Sequence, residues 1–235
     1  MKTTVPEASN WRELLAQREG PEHFVIEGQI AVQRLLDSDY EVEHVFKIGE
    51  NLSREEASSL LGYQFHRGYL AIARKPQAVE LSDFSSGPLV ILPEIADPGN
   101  LGTIIRNTTA LGGSGVIIGK GCSPFNAKAV RASAGTLFKL PVRHSADLLA
   151  DLQELANSRT LIGTSLSERA VPFTDLPQLK KPCTLLFGPE DFGLSEKIES
   201  LCHHLTYLPM TNEVDSLNVA AASAIFLHRI QDLIS

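Results

Sequence analysis

Between residues 88 and 235 short apolar runs alternate with helical periodicity, and this alternation restricts the chain more than any other feature. The runs lie at 89–92, 116–118, 161–162, 184–187 and 204–208. Helical patterns separate them at 101–111, 126–134, 146–157 and 195–201, and a last helix is predicted over 216–234. Strands too apolar to keep a wet face, interleaved with helices, predict βαβ units and a mostly parallel sheet covered on both sides. Sheets of that kind bind ligands in the loops at the carboxyl ends of their strands.

Residues 1–78 read as a smaller α/β unit. An amphipathic helix within 1–20 carries Trp11, Leu14 and Leu15 on its apolar side. Strands are predicted at 24–26, 42–48 and 69–73. A helix between the first two turns Ile30, Val32, Leu35 and Leu36 inward, and Ser53 with Glu55 and Glu56 marks another helix start. A unit this small buries a modest share of its surface and is marginal alone. Residues 79–87, ending Ser85-Ser86-Gly87, read as a linker to the main domain at 88–235.

Composition excludes whole classes. A chain of 235 residues with 43% hydrophobic and 21% charged residues is globular rather than disordered. No apolar run approaches the roughly 20 residues of a membrane helix, and the first residues carry no apolar segment of a secretory signal. Cys122, Cys183 and Cys202 are too scattered for a disulfide framework or a zinc site, and the seven histidines lack ligand spacing. The expectation is a cytoplasmic protein with no metal. No glycine fingerprint of a dinucleotide or phosphate loop occurs, and no G-x-S-x-G elbow, which disfavours dehydrogenase, P-loop and serine-hydrolase chemistry.

The net charge of −7 argues against a nucleic-acid partner, but its distribution does not. Residues 98–146 contain no acid and hold Arg106, Lys120, Lys128, Arg131, Lys139 and Arg143. Residues 57–79 are also acid-free, with His66, Arg67, Arg74 and Lys75. Local positive fields can form on an acidic protein, although charge runs are also common as plain solvated surface.

Three loops follow strands and could carry chemistry. In DPGNLGTIIRNTTALG, Asn100 can cap a helix and spacing puts it near one face with Thr103 and Arg106-Asn107. A capped helix with a surface arginine would look the same. In FGPEDFGLS a buried strand runs into glycines and acids, as at a ligand loop or a tight turn. In LPMTNEVDSLNVAAA polar residues lead into an alanine-rich helix suited to close packing in a core or a dimer face.

In order, these loops resemble the three signature motifs of the SpoU/TrmH family of RNA ribose 2′-O-methyltransferases in the SPOUT superfamily. Asn100 and Arg106 match the first motif, Gly188, Glu190 and Gly193 the second, and Ser216, Leu217 and Asn218 the third. SPFNAKAVRASAGTLFKLPV between them is also similar. FVIEGQIAVQRLL and HRGYLAIARKP resemble the family's small RNA-binding domain. The sequence departs from the family at Asn212, usually glycine, and in reading GPED where relatives often have GNE.

The resemblance implies an α/β fold with a C-terminal trefoil knot, an obligate homodimer and S-adenosylmethionine as cofactor. It implies transfer of a methyl group to a ribose 2′-hydroxyl of tRNA or rRNA. The catalytic set it implies is Arg106, Asn100, Glu190, Ser216 and Asn218. The cofactor would lie against Thr164, Ser165, Gly188, Glu190, Gly193, Leu208, Met210, Ser216 and Leu217. Lys128 and Arg131 are candidates for RNA phosphates, extended by Arg67 and Arg74 in the small domain. A catalytically silent RNA-binding relative, or a SPOUT enzyme acting on a base, are the alternatives.

Overall fold

The computed structural model describes residues 10–180, 182–211 and 216–234. Asn212 and its neighbours in the third motif lie outside the described residues. Two sheets organise the chain. The first joins β1 (His23–Glu27), β2 (Val42–Lys47) and β3 (Tyr69–Arg74) in the order β1-β3-β2, all antiparallel. It carries α1 (Trp11–Gln17), α2 (Gln29–Leu36) and α3 (Arg54–Leu61), the last capped by Ser53, whose hydroxyl accepts from the Glu56 amide.

The second sheet has seven strands: β4 (Leu89–Ile95), β5 (Gly115–Gly121), β6 (Val142–His144), β7 (Thr160–Thr164), β8 (Val171–Pro172), β9 (Cys183–Leu186) and β10 (His204–Tyr207). Their order is β6-β5-β4-β9-β7-β10-β8, and every pair is parallel. Helices α4 (Pro98–Ala110), α5 (Ala127–Ala132), α6 (Leu148–Ser158), α7 (Glu196–Leu201) and α8 (Val219–Ile230) connect or flank them. The expected mostly parallel α/β sheet is therefore present. Leu89, Val90, Ile91 and Leu92 are all fully buried, which is why β4 shows no alternation in the sequence.

Some expectations differ in detail. Ile30 is 67% exposed, not inward, because the buried stripe of α2 is Ala31, Val32 and Leu35 and position 30 falls on its far side. β6 and β8 are short edge strands without an apolar run, so periodicity missed them. The last helix begins at Val219 rather than Ser216, since Asn218 caps it by accepting from the Ala220 and Ala221 amides.

One apolar core is shared between the two sheets, and each sheet also has a cluster of its own, around Val25, Phe65 and Leu70 in the small unit and around Leu89, Ile117 and Leu161 in the large one. Phe24, Ile26, Val32 and Leu35 of the small unit share one apolar cluster with Leu101, Ile104, Val130 and Phe138 of the large one. The Phe24 ring sits 4.8 Å from Phe125, and Tyr40 sits 5.2 Å from Phe138. Segment 79–87 is also anchored. It forms a short 3-10 turn at Leu81–Asp83, and Phe84 is buried against Gly115, where a Cβ would lie 2.3 Å from its ring.

Close approach of α4 and α5 depends on Gly102, where a Cβ would stand 2.2 Å from the Ala129 carbonyl oxygen. Backbone cannot give way as a side chain can. Gly102→Ala is expected to destabilise the fold by about 1–3 kcal/mol through overpacking, read as a lowered thermal midpoint. An unchanged midpoint would show that the two helices can slide apart freely.

Candidate active site

Strands β9, β7 and β10 are neighbours, and the loops leaving their carboxyl ends enclose a cavity of about 470 Å³. That volume falls within the usual range for small-molecule sites. Thr164 and Ser165 enter from the loop after β7, Gly188, Glu190 and Gly193 from the loop after β9, and Leu208 and Met210 from that after β10. Ser216 and Leu217 close it ahead of α8. All nine residues named from the sequence as cofactor contacts line this one cavity.

The loops are held tightly. Thr164 Oγ1 donates to the Leu186 carbonyl at 3.0 Å and the Ser165 amide donates to the Thr206 carbonyl at 3.0 Å. A Cβ on Gly188 would stand 2.3 Å from the Gly193 carbonyl carbon and 2.6 Å from the Leu194 nitrogen, so the loop folds back on itself only with glycine there. Gly188→Ala is expected to force the loop open and weaken cofactor binding about tenfold or more, an effect of ~1.4 kcal/mol measurable by calorimetry. Wild-type affinity in that variant would mean that the loop tolerates the change.

Sequence reasoning missed part of the lining. Phe187 and Phe226 form an apolar floor, with ring centroids 5.6 Å apart, and Glu199 brings a further carboxylate that accepts from Ser165 Oγ at 2.6 Å. Phe226 could have been found from its place on the inward face of the last helix. Glu199, on a six-residue helix, gave no signal. The donor set suits a ligand with a flat apolar ring and positive charge: loop backbone, apolar walls, and the carboxylates of Glu190, Asp191 and Glu199. S-adenosylmethionine fits those requirements.

A second cluster adjoins the cavity. The Asp97 side chain accepts from the Asn100 amide at 2.8 Å and caps α4. Asn218 Nδ2 donates to Asn100 Oδ1 at 3.0 Å, and Asn100 Nδ2 donates to Glu190 Oε1 at 3.3 Å. The Val219 amide and Asn218 Nδ2 also reach Glu190 Oε1, at 3.4 and 3.5 Å. One residue from each motif thus converges on one point. Asn107 ties α4 to α8 by donating to the Ala220 carbonyl and Ser223 Oγ.

Arg106 stands apart from this cluster. It is exposed on the outward side of α4 and makes no hydrogen bond or ion pair among the described residues. Within one chain Asn100, Asn218 and Glu190 bond to one another, and none of those bonds runs to Arg106. Ser216 is exposed at the cavity rim. Lys128 Nζ lies 2.6 Å from Asp97 Oδ2, and this contact holds the Asp97 carboxyl below its ordinary value. Arg74 is engaged by Glu43 at 2.8 Å, with Glu41 and Glu22 further off. Arg67 and Arg131 both meet Glu27.

The profile of the SpoU rRNA Methylase family matches residues 87–228. The chain belongs to that family. Membership carries the class of reaction, RNA methylation. The 23S rRNA (guanosine(2553)-2′-O)-methyltransferase RlmP of Bacillus subtilis is 27% identical over 241 residues, covering 94% of each chain. The 23S rRNA (guanosine-2′-O-)-methyltransferase RlmB of Acinetobacter baylyi is 28% identical over 190 residues and 76% of each chain. Among solved structures, an AdoMet-bound rRNA methyltransferase from Sinorhizobium meliloti superimposes with a TM-score of 0.82 at 26% identity. That match covers 95% of this chain and 94% of the other.

Proposed function

We propose that this SpoU methylase transfers a methyl group from S-adenosylmethionine to a ribose 2′-hydroxyl of rRNA or tRNA. One observation carries the reading: the loops after β7, β9 and β10 enclose a cofactor-sized cavity that Glu190 joins to the adjoining Asn100–Glu190–Asn218 cluster. Relatives named as 2′-O-methyltransferases favour the ribose over a base as acceptor, and retention of all three motif residues favours an enzyme over a silent binder.

Bound S-adenosylmethionine supplies an electrophilic sulfonium methyl. The chain's own part is positioning and charge. The Phe187 and Phe226 floor and the loop backbone at Gly188, Leu208 and Met210 seat the cofactor. Glu190, held by three donors, keeps the cavity rim and α8 in register, so the acceptor approaches along a fixed line, and alignment of this kind accounts for much of the acceleration in transfer reactions. As the methyl is transferred the 2′-hydroxyl releases its proton to bulk water, and the neutral thioether is left as the second product. Arg106, with its fork of N–H donors, donates to the oxygen as charge develops there and anchors the adjoining phosphate.

The knotted topology of the family, a division at residues 1–78, 79–87 and 88–235, a cytoplasmic setting and a homodimer belong to the same reading. Support for the dimer is the alanine-lined groove of about 540 Å³ between α4, α5 and α8, with Ile225 39% exposed on α8 and Arg106 outward on α4. A second copy on that face would bring an acceptor site and an arginine together. Among the described residues no helix is long and apolar enough to cross a membrane.

The test uses unmodified rRNA and tRNA with labelled S-adenosylmethionine. The reading requires methylation that protects one phosphodiester from alkaline cleavage. Label on a base, or no uptake of the cofactor by the purified protein, would overturn it.

A further inference from the structure

Arg67 lies in the small unit and Arg131 on α5 of the large one, yet both donate to a single atom. Arg67 Nη1 stands 3.2 Å and Arg131 Nη1 3.0 Å from Glu27 Oε2. The Glu27 side chain is fully buried, whereas Arg67 is half exposed and Arg131 about a third exposed. A withdrawn carboxylate needs pairing, but one guanidinium would have sufficed. The second leaves the cluster with a net positive charge. Each guanidinium has five N–H donors, and among the described residues neither makes another hydrogen bond.

The surroundings extend the same theme. Among the described residues Glu27 Oε1 is sealed from solvent without a donor in bonding geometry, and burial, with Glu27 nearby, pushes the Tyr63 hydroxyl up to about 12. The Arg18 guanidinium covers the Tyr63 ring at 4.9 Å. Arg131 and Lys128 share one face of α5 by their three-residue spacing, and Lys128 reaches Asp97, which caps the helix bearing Asn100. Cations therefore lead from the acceptor cluster, along α5, across the boundary between the units to Arg67.

We propose that Glu27 is the buried keystone of a composite phosphodiester site, in which Arg67 and Arg131 together hold the backbone of the RNA strand leading to the acceptor groove. This rests on the reading of RNA as substrate. The carboxylate holds two like charges side by side, an arrangement they would not keep alone, and presents them as one fork. The small unit then contributes to affinity and to the direction in which RNA enters, not only to tethering.

Binding of an unmodified 23S rRNA transcript over a salt titration tests the proposal, with calorimetry of S-adenosylmethionine alongside. Arg67→Gln should weaken RNA binding about tenfold and lower the logarithmic salt slope by ~0.7 for a single-stranded contact. Glu27→Gln decides the keystone role, because it removes an acid. A surface that attracts RNA only through net charge would bind more tightly, whereas a fork that has lost its support binds several-fold more weakly. Should Glu27→Gln fail to fold by circular dichroism, Glu27→Asp replaces it, with the shorter carboxylate expected to weaken binding in the same direction. Cofactor affinity should match wild type in all variants. Wild-type RNA affinity and slope in Arg67→Gln, or tighter binding by a folded Glu27→Gln, would overturn the proposal. Absence of any RNA methylation by the wild-type protein would instead count against the function, since the fork is judged by binding.

Discussion

Arg106→Ala is expected to lower the methyl-transfer rate by about 10²–10³-fold, the usual cost of removing a donor aimed at developing oxyanion charge. Affinity for S-adenosylmethionine should stay within a factor of about two, an energy below ~0.5 kcal/mol. The contrast follows from placement. Arg106 does not line the cavity enclosed by the loops after β7, β9 and β10, and it is exposed on the outward side of α4. It can therefore act on the acceptor without holding the donor. Arg106→Lys should recover little, because an ammonium lacks the planar fork that meets an oxygen and a phosphate together. Single-turnover rates at saturating cofactor, with calorimetry on the same preparations, read both quantities. A fall in cofactor affinity as large as the fall in rate would place Arg106 in the donor site and end this account of its role.

Arg159→Leu is expected to be the most destabilising of these substitutions, by about 3–5 kcal/mol, the scale for leaving several buried polar groups unmatched. Arg159 is 5% exposed and meets no carboxylate among its described partners. Its guanidinium donates to Thr184 Oγ1 at 2.9 Å, to the Ser85 carbonyl at 3.0 Å, to the Cys183 carbonyl at 2.7 Å and to the Gly87 carbonyl. Burial lowers its pKa from the ordinary arginine value. One side chain thus joins the entry to β4, the start of β7 and the start of β9, three segments that meet beside the middle of the sheet. Leucine would fill part of the space and leave those acceptors without donors. A drop of roughly 10 °C in the thermal midpoint follows at 2–4 °C per kcal/mol for a chain of this size. A midpoint within a degree or two of wild type would mean that water takes the place of the guanidinium.

The main sheet was readable because its strands are buried on both faces. Leu89-Val90-Ile91-Leu92 and Val116-Ile117-Ile118 leave no room for polar residues, so apolar runs mark them without ambiguity. Edge strands escaped for the opposite reason: β6 and β8 need little apolar surface and carry little signal. Ile30 misled because periodicity locates a stripe only to within a residue at a helix start.

At the site, residue types and spacing marked the three loops but left plain caps and turns open, and it was the resemblance of those loops to the SpoU/TrmH motifs that named Asn100, Glu190 and Asn218. The bonds among those three, and the separation of Arg106 from them, could not be read, because they depend on how α4, α8 and the loop after β9 meet in space. Local pattern therefore determined the class of fold and picked out the three loops, and the resemblance of those loops supplied the candidate residues. Only tertiary structure decided which side chains touch: that Glu190 bonds to two asparagines, that Arg159 is buried among carbonyls, and that Glu27 draws one arginine from each unit. Periodicity is a property of neighbouring residues along the chain. A hydrogen bond between distant segments exists only after packing has set their separation to within a few tenths of an ångström.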